Sequence, residues 1–186
     1  MNEKQKHILL KTAKEALRAA ITKSAMPKVE SDDALLRENR GCFVTLKNGE
    51  ELRGCIGSFV ADKPLVEMVA EMAVSSATSD PRFFFQPITA KELDELDIEI
   101  SVLSPLKKTD DPLSLRLGID GIYIKKGSYS GCFLPQVATE TGWSKEEFLS
   151  YCCSHKAGME PDAWKDKDTT VLLFTAEIFG AAFKDI

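Results

Sequence analysis

Apolar side chains recur at Ile8, Leu9, Ala13, Leu17, Ala20 and Ile21 with lysine and glutamate between them, which is the spacing of one face of an α-helix. The pattern predicts an amphipathic helix over about 3–24, and Pro27 stops it from running on. Beyond it the period falls to two. Residues 40–47 and 50–60 read as strands around Asn48-Gly49, the strongest short-range hairpin signal. Lys63-Pro64 opens a second helix with a proline in its first turn, and Leu65, Met68, Val69, Met72 and Ala73 mark its buried stripe as far as Thr78. Asp80-Pro81-Arg82-Phe83 breaks that pattern and begins a loop. Thr89 with Glu92 has capping-box spacing and predicts a short helix through Leu96, after which Ile98, Ile100 and Val102 alternate as a half-buried strand over 97–104.

Turn residues at 118–121 lead to strands at 122–126 and 130–134, joined at Lys126-Gly127. A short helix over 135–141 follows. Ser144 with Glu147 makes a second capping box, starting a helix to about Ala157 that Gly158 closes. Residues 169–179 form a long apolar, β-branched run that predicts a buried strand. Helices and strands are interspersed without a βαβα rhythm, so the fold class read from the pattern is α+β.

The first hairpin carries the densest chemistry. Arg40-Gly41-Cys42-Phe43 stands on one strand and Leu52-Arg53-Gly54-Cys55-Ile56-Gly57 on the other. Glycines weaken a strand and offer nothing to pack, so Gly54 and Gly57 point to a close approach to the backbone. Two registers are open. A two-residue loop at Asn48-Gly49 sets Cys42 opposite Cys55 as a dithiol pair. A three-residue loop at 47–49 sets Cys55 opposite Gly41 and separates polarity better, with Cys42 in the core and Cys55 beside Arg53 on a polar face. A slip of one residue exchanges the faces.

The 186 residues suffice for one substantial core, or for one domain with two lobes. A hydrophobic fraction of 44% and a charged fraction of 28% belong to an ordinary globular chain. The net charge of −5 argues against a nucleic-acid partner. The N-terminus has no apolar signal region and no run is long enough to span a membrane, which makes a cytoplasmic location the simplest expectation. Five cysteines without a CxxC pair read as reduced thiols. With two histidines there is no zinc spacing, and neither a metal nor a cofactor is expected.

Arg40-Gly41-Cys42-Phe43, Leu52-Arg53-Gly54-Cys55-Ile56-Gly57, Asp80-Pro81-Arg82-Phe83, Leu134-Pro135-Gln136-Val137, Gly142-Trp143 and Lys156-Ala157-Gly158 together resemble the AMMECR1 family, called AmmeMemoRadiSam system protein A in bacteria and archaea. The likeness spans nearly the whole chain. It implies a two-lobed α+β fold with antiparallel or mixed sheets and an internal duplication. The echo of Gly41-Cys42-Phe43-Val44 in Gly131-Cys132-Phe133-Leu134 agrees with that implication. It implies no settled biochemical activity, and it suggests Memo-type and radical-SAM proteins as partners in a shared pathway. The Cys152-Cys153-Ser154-His155 run departs from the family pattern, so Cys153 takes no role from it.

Two functions follow as expectations. In the first, a cytosolic enzyme or enzyme subunit binds a small anionic or carbonyl-bearing ligand, with Cys55 as thiolate nucleophile or redox group and Arg53 as the clamp that holds negative charge. Arg40, Gly54, Gly57, Asp80, Arg82 and Gln136 would line that cleft. In the second, the chain is a non-catalytic adaptor or carrier. Cys55 then packs, the arginines pair internally, and the glycine-rich strand or the successive phenylalanines Phe83-Phe84-Phe85 dock a partner. The plainer roles are capping for Gln136, a self-paired turn for Asp80 and Arg82, and helix-dipole compensation for Lys156.

Overall fold

A computed structural model describes residues 1–59 and 62–186. The first helix, α1 (Glu3–Thr22), starts where Asn2 and Gln5 cap one another reciprocally and ends at Lys23 in the left-handed conformation, two residues short of the expected end. β1 (Cys42–Asn48) and β2 (Glu51–Ser58) form the hairpin, and Val60 of the expected strand lies outside the described residues. α2 (Leu65–Thr78) then covers one face, with Pro64 as its N-cap and no side-chain cap. β3 (Leu96–Leu103) pairs antiparallel with β1.

The chain divides into two compact units. The first comprises Met1–Leu103 and Glu177–Ile186, and the second Ser104–Ala176. In the first, the strand order is β2-β1-β3, continued by the C-terminal residues of β7 (Thr170–Ala182). Its core joins Leu9, Leu17, Leu46, Val69, Ile98 and Ile100 between the sheet and the two helices. The second unit holds β4 (Lys107–Thr109), β5 (Asp120–Lys126) and β6 (Tyr129–Phe133) with the first residues of β7, in the order β6-β5-β7-β4. α3 (Pro135–Thr141) and α4 (Lys145–Tyr151) complete it around Phe148, Leu149, Cys152 and Ile122. These elements make the fold α+β with antiparallel pairing throughout the described strands.

Each unit repeats one plan: a hairpin, helical structure, then a strand beside the hairpin's first strand. The repeat corrects the expected alignment of the two copies. Gly131-Cys132 lies on the second strand of its hairpin, so its topological counterpart is Gly54-Cys55 on β2, not Gly41-Cys42 on β1. In both copies that glycine faces the backbone of the helical segment that follows. A Cβ at Gly131 would stand 2.6 Å from the Ala157 nitrogen, and one at Gly54 would overlap the Ser76 carbonyl.

Other differences have local causes. Glu92 does not begin an α-helix, because its carboxylate is taken by Arg53 from β2, and only a 3₁₀ turn at Leu93–Glu95 remains. α4 stops at Tyr151, and the chain continues as a single wide turn over Cys152–Lys156 before Gly158 adopts its positive φ. β4 is too short to leave an alternating pattern. Among the described residues no helix is long and apolar enough to cross a membrane.

Candidate functional site

The hairpin register decides what surrounds Cys55. The loop residues are Gly49 and Glu50, between Asn48 and its partner Glu51, and Gly49 carries φ +58° at the first loop position, as a type II′ turn demands. Leu46 pairs with Gly54 and Lys47 with Leu52, so Arg53 is an extra residue, a β-bulge. Cys55 therefore stands opposite Thr45, and Cys42 opposite Ser58. Both registers expected from the sequence are replaced, and the dithiol pair does not form. Cys42 is in the core as the second register requires, and burial pushes its thiol up to about 12.

α2 lies so close on β2 that Ser76 enters the ladder. Its hydroxyl donates to the Val44 carbonyl at 2.7 Å and accepts the Ile56 N–H at 2.9 Å, bridging the two strands where a direct bond would run. That approach is what Gly54 serves: an ideal Cβ there would be 2.8 Å from the Ser76 carbonyl carbon and closer to its oxygen. Gly57 has the same kind of reason, since a Cβ would enter the Phe43 ring. The close approaches that the glycines imply are thus made by the protein's own helix and ring. Ser76 continues the spacing of the buried stripe one turn past Met72 and Ala73, a signal that could have marked it.

The backbone of Cys55 points away from β1, where an edge strand normally leaves its groups open. Asp80 Oδ2 accepts the Cys55 N–H at 2.9 Å, and Arg82 Nη2 donates to the Cys55 carbonyl at 3.3 Å. Asp80 and Arg82 are joined by two further bonds, Nη2 to Oδ2 at 2.6 Å and Nε to Oδ1 at 3.0 Å, and Oδ1 also accepts the Arg82 N–H. The pair therefore occupies the place of a neighbouring strand at one peptide. Asp80 is 5% exposed, and the Arg82 guanidinium, aided by the Cys55 and Arg82 N–H groups, holds its carboxyl at about 2 against the opposing effect of burial.

Arg53 is engaged elsewhere. It is 8% exposed, with Nε to Glu92 Oε1 at 2.6 Å, and Nη2 to Glu92 Oε2 at 3.3 Å and to the Gln86 carbonyl at 3.1 Å. Glu92 raises the Arg53 pKa and Arg53 lowers that of Glu92. The cation whose bonds reach Cys55 is Arg82, not Arg53. The Cys55 thiol is half-buried and receives the Thr45 hydroxyl at 3.1 Å. Burial pushes up the thiols of Cys42, Cys132, Cys152 and Cys153. Arg40 turns to Glu38 at 2.7 Å, and Gln136 belongs to the second unit with its Oε1 buried and without a partner among the described residues. Asp80, Arg82 and Cys55 are therefore the expected site residues that direct bonds bring together, while Arg40 and Gln136 share no bond with them. Thr45 and Ser76 are the contributors that the sequence did not single out, and Glu92 carries only a helix-capping signal there.

Two of these contacts flank the phenylalanines. The 3₁₀ turn Pro81–Phe83 begins at Asp80, the Arg82 guanidinium lies 5.5 Å over the Phe83 ring, and the Gln86 N–H returns to the Phe83 carbonyl at 2.9 Å. Phe84 and Phe85, between those anchors, are 75% and 92% exposed and meet edge to face with centroids 5.2 Å apart. Glu92→Ala would leave the Arg53 guanidinium buried without its counter-charge and free the Gln86 end of this loop. It should lower the unfolding free energy by about 3 kcal/mol in urea titrations, whereas Glu38→Ala, at an exposed pair, should cost about 0.5 kcal/mol or less. Equal effects of the two changes would contradict a sealed Arg53.

Comparison with known proteins places this geometry. The AMMECR1 family profile matches residues 10–179. A protein of Methanothermobacter thermautotrophicus is 42% identical over 178 residues, which cover 92% of this chain and 91% of the relative. Protein TK0174 of Thermococcus kodakarensis is 47% identical over 154 residues, covering 77% and 74%. The crystal structure of an uncharacterized protein, PH0010 from Pyrococcus horikoshii, superimposes with a TM-score of 0.85 at 39% identity, covering 95% of this chain and 91% of that one.

Proposed function

The chain belongs to the AMMECR1 family, and we propose that it acts as a non-catalytic adaptor whose docking element is the Phe84-Phe85 pair. One observation carries this reading: two neighbouring phenylalanines are almost fully exposed on a loop pinned at both ends. Arg82 ties its start to Cys55, and Arg53 ties its end through Gln86. Exposed aromatic pairs on mobile tails lose affinity to ordering, whereas side chains held in place beforehand lose little. The conspicuous residues of β2 thus support the loop, and the loop meets the partner.

The occupant fitting such a knob is a folded protein with an apolar pocket. The Memo-type and radical-SAM proteins suggested by the family resemblance are the two to test. Purified partner should bind the wild-type chain, and Phe84→Ala with Phe85→Ala should weaken that binding by about thirtyfold, the scale of an aromatic hot spot.

A second reading rests on Cys55, whose half-exposed thiol receives the Thr45 hydroxyl and has the Arg82 guanidinium at hand. Neither histidine supports it: His155 stacks on Tyr151, and His7 lies on α1. Asp80, the carboxylate at hand, has both oxygens committed. The same paired variant separates the readings. Lost binding with unchanged alkylation of Cys55 supports the adaptor. Unchanged binding, together with selective alkylation of Cys55 that blocks ligand uptake, supports the thiol.

A further inference from the structure

β6 lies at an edge of the sheet and pairs with β5 alone among the described strands. Lys126 and Tyr129 close the two-residue turn Gly127-Ser128, where Gly127 has φ +57°. Counted from that closing pair, Gly131 and Phe133 exchange the ladder bonds with β5, so Ser130 and Cys132 turn their N–H and C=O groups outward. Among the described residues no bond reaches those outward groups. Ser130 is exposed and Cys132 half-buried. β2 and β4 show how this chain closes an edge. On β2 the equivalent peptide, that of Cys55, is capped by Asp80 and Arg82, and β4 is only three residues long and carries Lys107 and Lys108. β6 runs over Tyr129–Phe133 with neither a charged residue nor a proline nor a bulge.

From this contrast we infer that the edge of β6 is a docking site for an extended, acidic segment of a partner protein, which joins the sheet as a further strand. The outward donors and acceptors of Ser130 and Cys132 match an extended backbone, which presents the same groups at every second residue. Charge selects acidic side chains. Lys125 stands opposite Ser130 on one face, Lys156 reaches the Phe133 ring on the other, and neither has an ion-pair partner among the described residues. Of the carboxylates near the turn, Asp166 and Asp168 are taken by Lys126, and Glu160 lies at the Tyr129 end of the strand. A second copy of this chain does not fit. Two β6 strands pairing through Ser130 and Cys132 would meet at Gly131, and each would bring its own Cys152–Lys156 turn to the same side of the sheet. Gly131 lies so close beneath that turn that a Cβ would stand 2.8 Å from the Lys156 carbonyl carbon. A single added strand needs only about 4.8 Å of width.

The test is an NMR titration of the full chain with the end-blocked peptide Thr-Glu-Val-Glu-Val-Thr at low ionic strength. Saturable shifts are expected at the Ser130 and Cys132 amides, with hydrogen exchange at both slowed about tenfold or more at saturation. Ser130→Pro removes one outward N–H and no ladder bond, so the variant should keep the fold and bind about tenfold more weakly. A peptide with lysine in place of both glutamates should also bind about tenfold more weakly. Absence of saturable shifts, unchanged exchange at Ser130 and Cys132, equal affinity in Ser130→Pro, or equal affinity for the lysine peptide would each overturn the assignment. Exchange and the lysine peptide are read in the wild type, and they decide the matter even where Ser130→Pro fails to fold.

Discussion

Gly54→Ala should destabilise the protein by about 3 kcal/mol or more, because the clash falls on backbone, which cannot swing aside as a side chain would. The added methyl would meet the carbonyl of Ser76 on α2. Relief requires α2 to lift from β2, which would break the Ser76 bridge between Val44 and Ile56 and open the apolar contacts of Val69, Met72 and Ala73. Gly49→Ala offers the contrast. Nothing lies near an added methyl there, and the cost is that of a positive φ, about 1 kcal/mol. Chemical denaturation of both variants checks the difference. A Gly54→Ala protein within about 1 kcal/mol of wild type would mean that helix and strand are not in contact.

Removal of the Asp80 charge is the second large change. Asp80→Ala takes the acceptor from the Cys55 N–H and the counter-ion from Arg82 in one step, and should cost about 3 kcal/mol at neutral pH. Asp80→Asn isolates the charge. The folded-state pKa, about 2, lies below the ordinary aspartate value of 3.8, so the native state binds its proton later than the unfolded chain. The stabilisation is complete above the unfolded pKa and drains away as pH falls toward 2. Between about pH 5 and pH 2 the wild type should therefore lose about 2 kcal/mol more than Asp80→Asn does. Glu92 and the other depressed carboxyls titrate in both proteins and cancel in the difference. Equal acid sensitivity of wild type and Asp80→Asn would refute the clamp.

Local signals were readable in the chain, and long-range ones were misassigned. The Ser144 capping box and the α1 periodicity are interactions within one element, and the structure has both. The Thr89-Glu92 capping signal failed because Glu92 serves Arg53, 39 residues away in sequence, and spacing is blind to such a partner. The hairpin was correct in kind and wrong in register. The bulge at Arg53 and the turn at Gly49-Glu50 add offsets that no alternation pattern encodes.

The site followed the same rule. Arg53, Cys55, Asp80 and Arg82 stand out by residue type, yet which arginine reaches the cysteine depends on how the 80–92 segment returns to β2. Gly54 and Gly57 announce close approach without saying whose. Here it is α2 and Phe43.

Asp80 and Arg82 cap the outward-facing peptide of Cys55 and so anchor the loop carrying Phe84 and Phe85. Amide hydrogen exchange at Cys55, followed residue by residue in NMR spectra, tests it most directly. This edge-strand amide should be protected comparably to that of Ile56 in the wild type and lose its protection in Asp80→Ala. Exchange at the rate of an open loop in the wild type would contradict it.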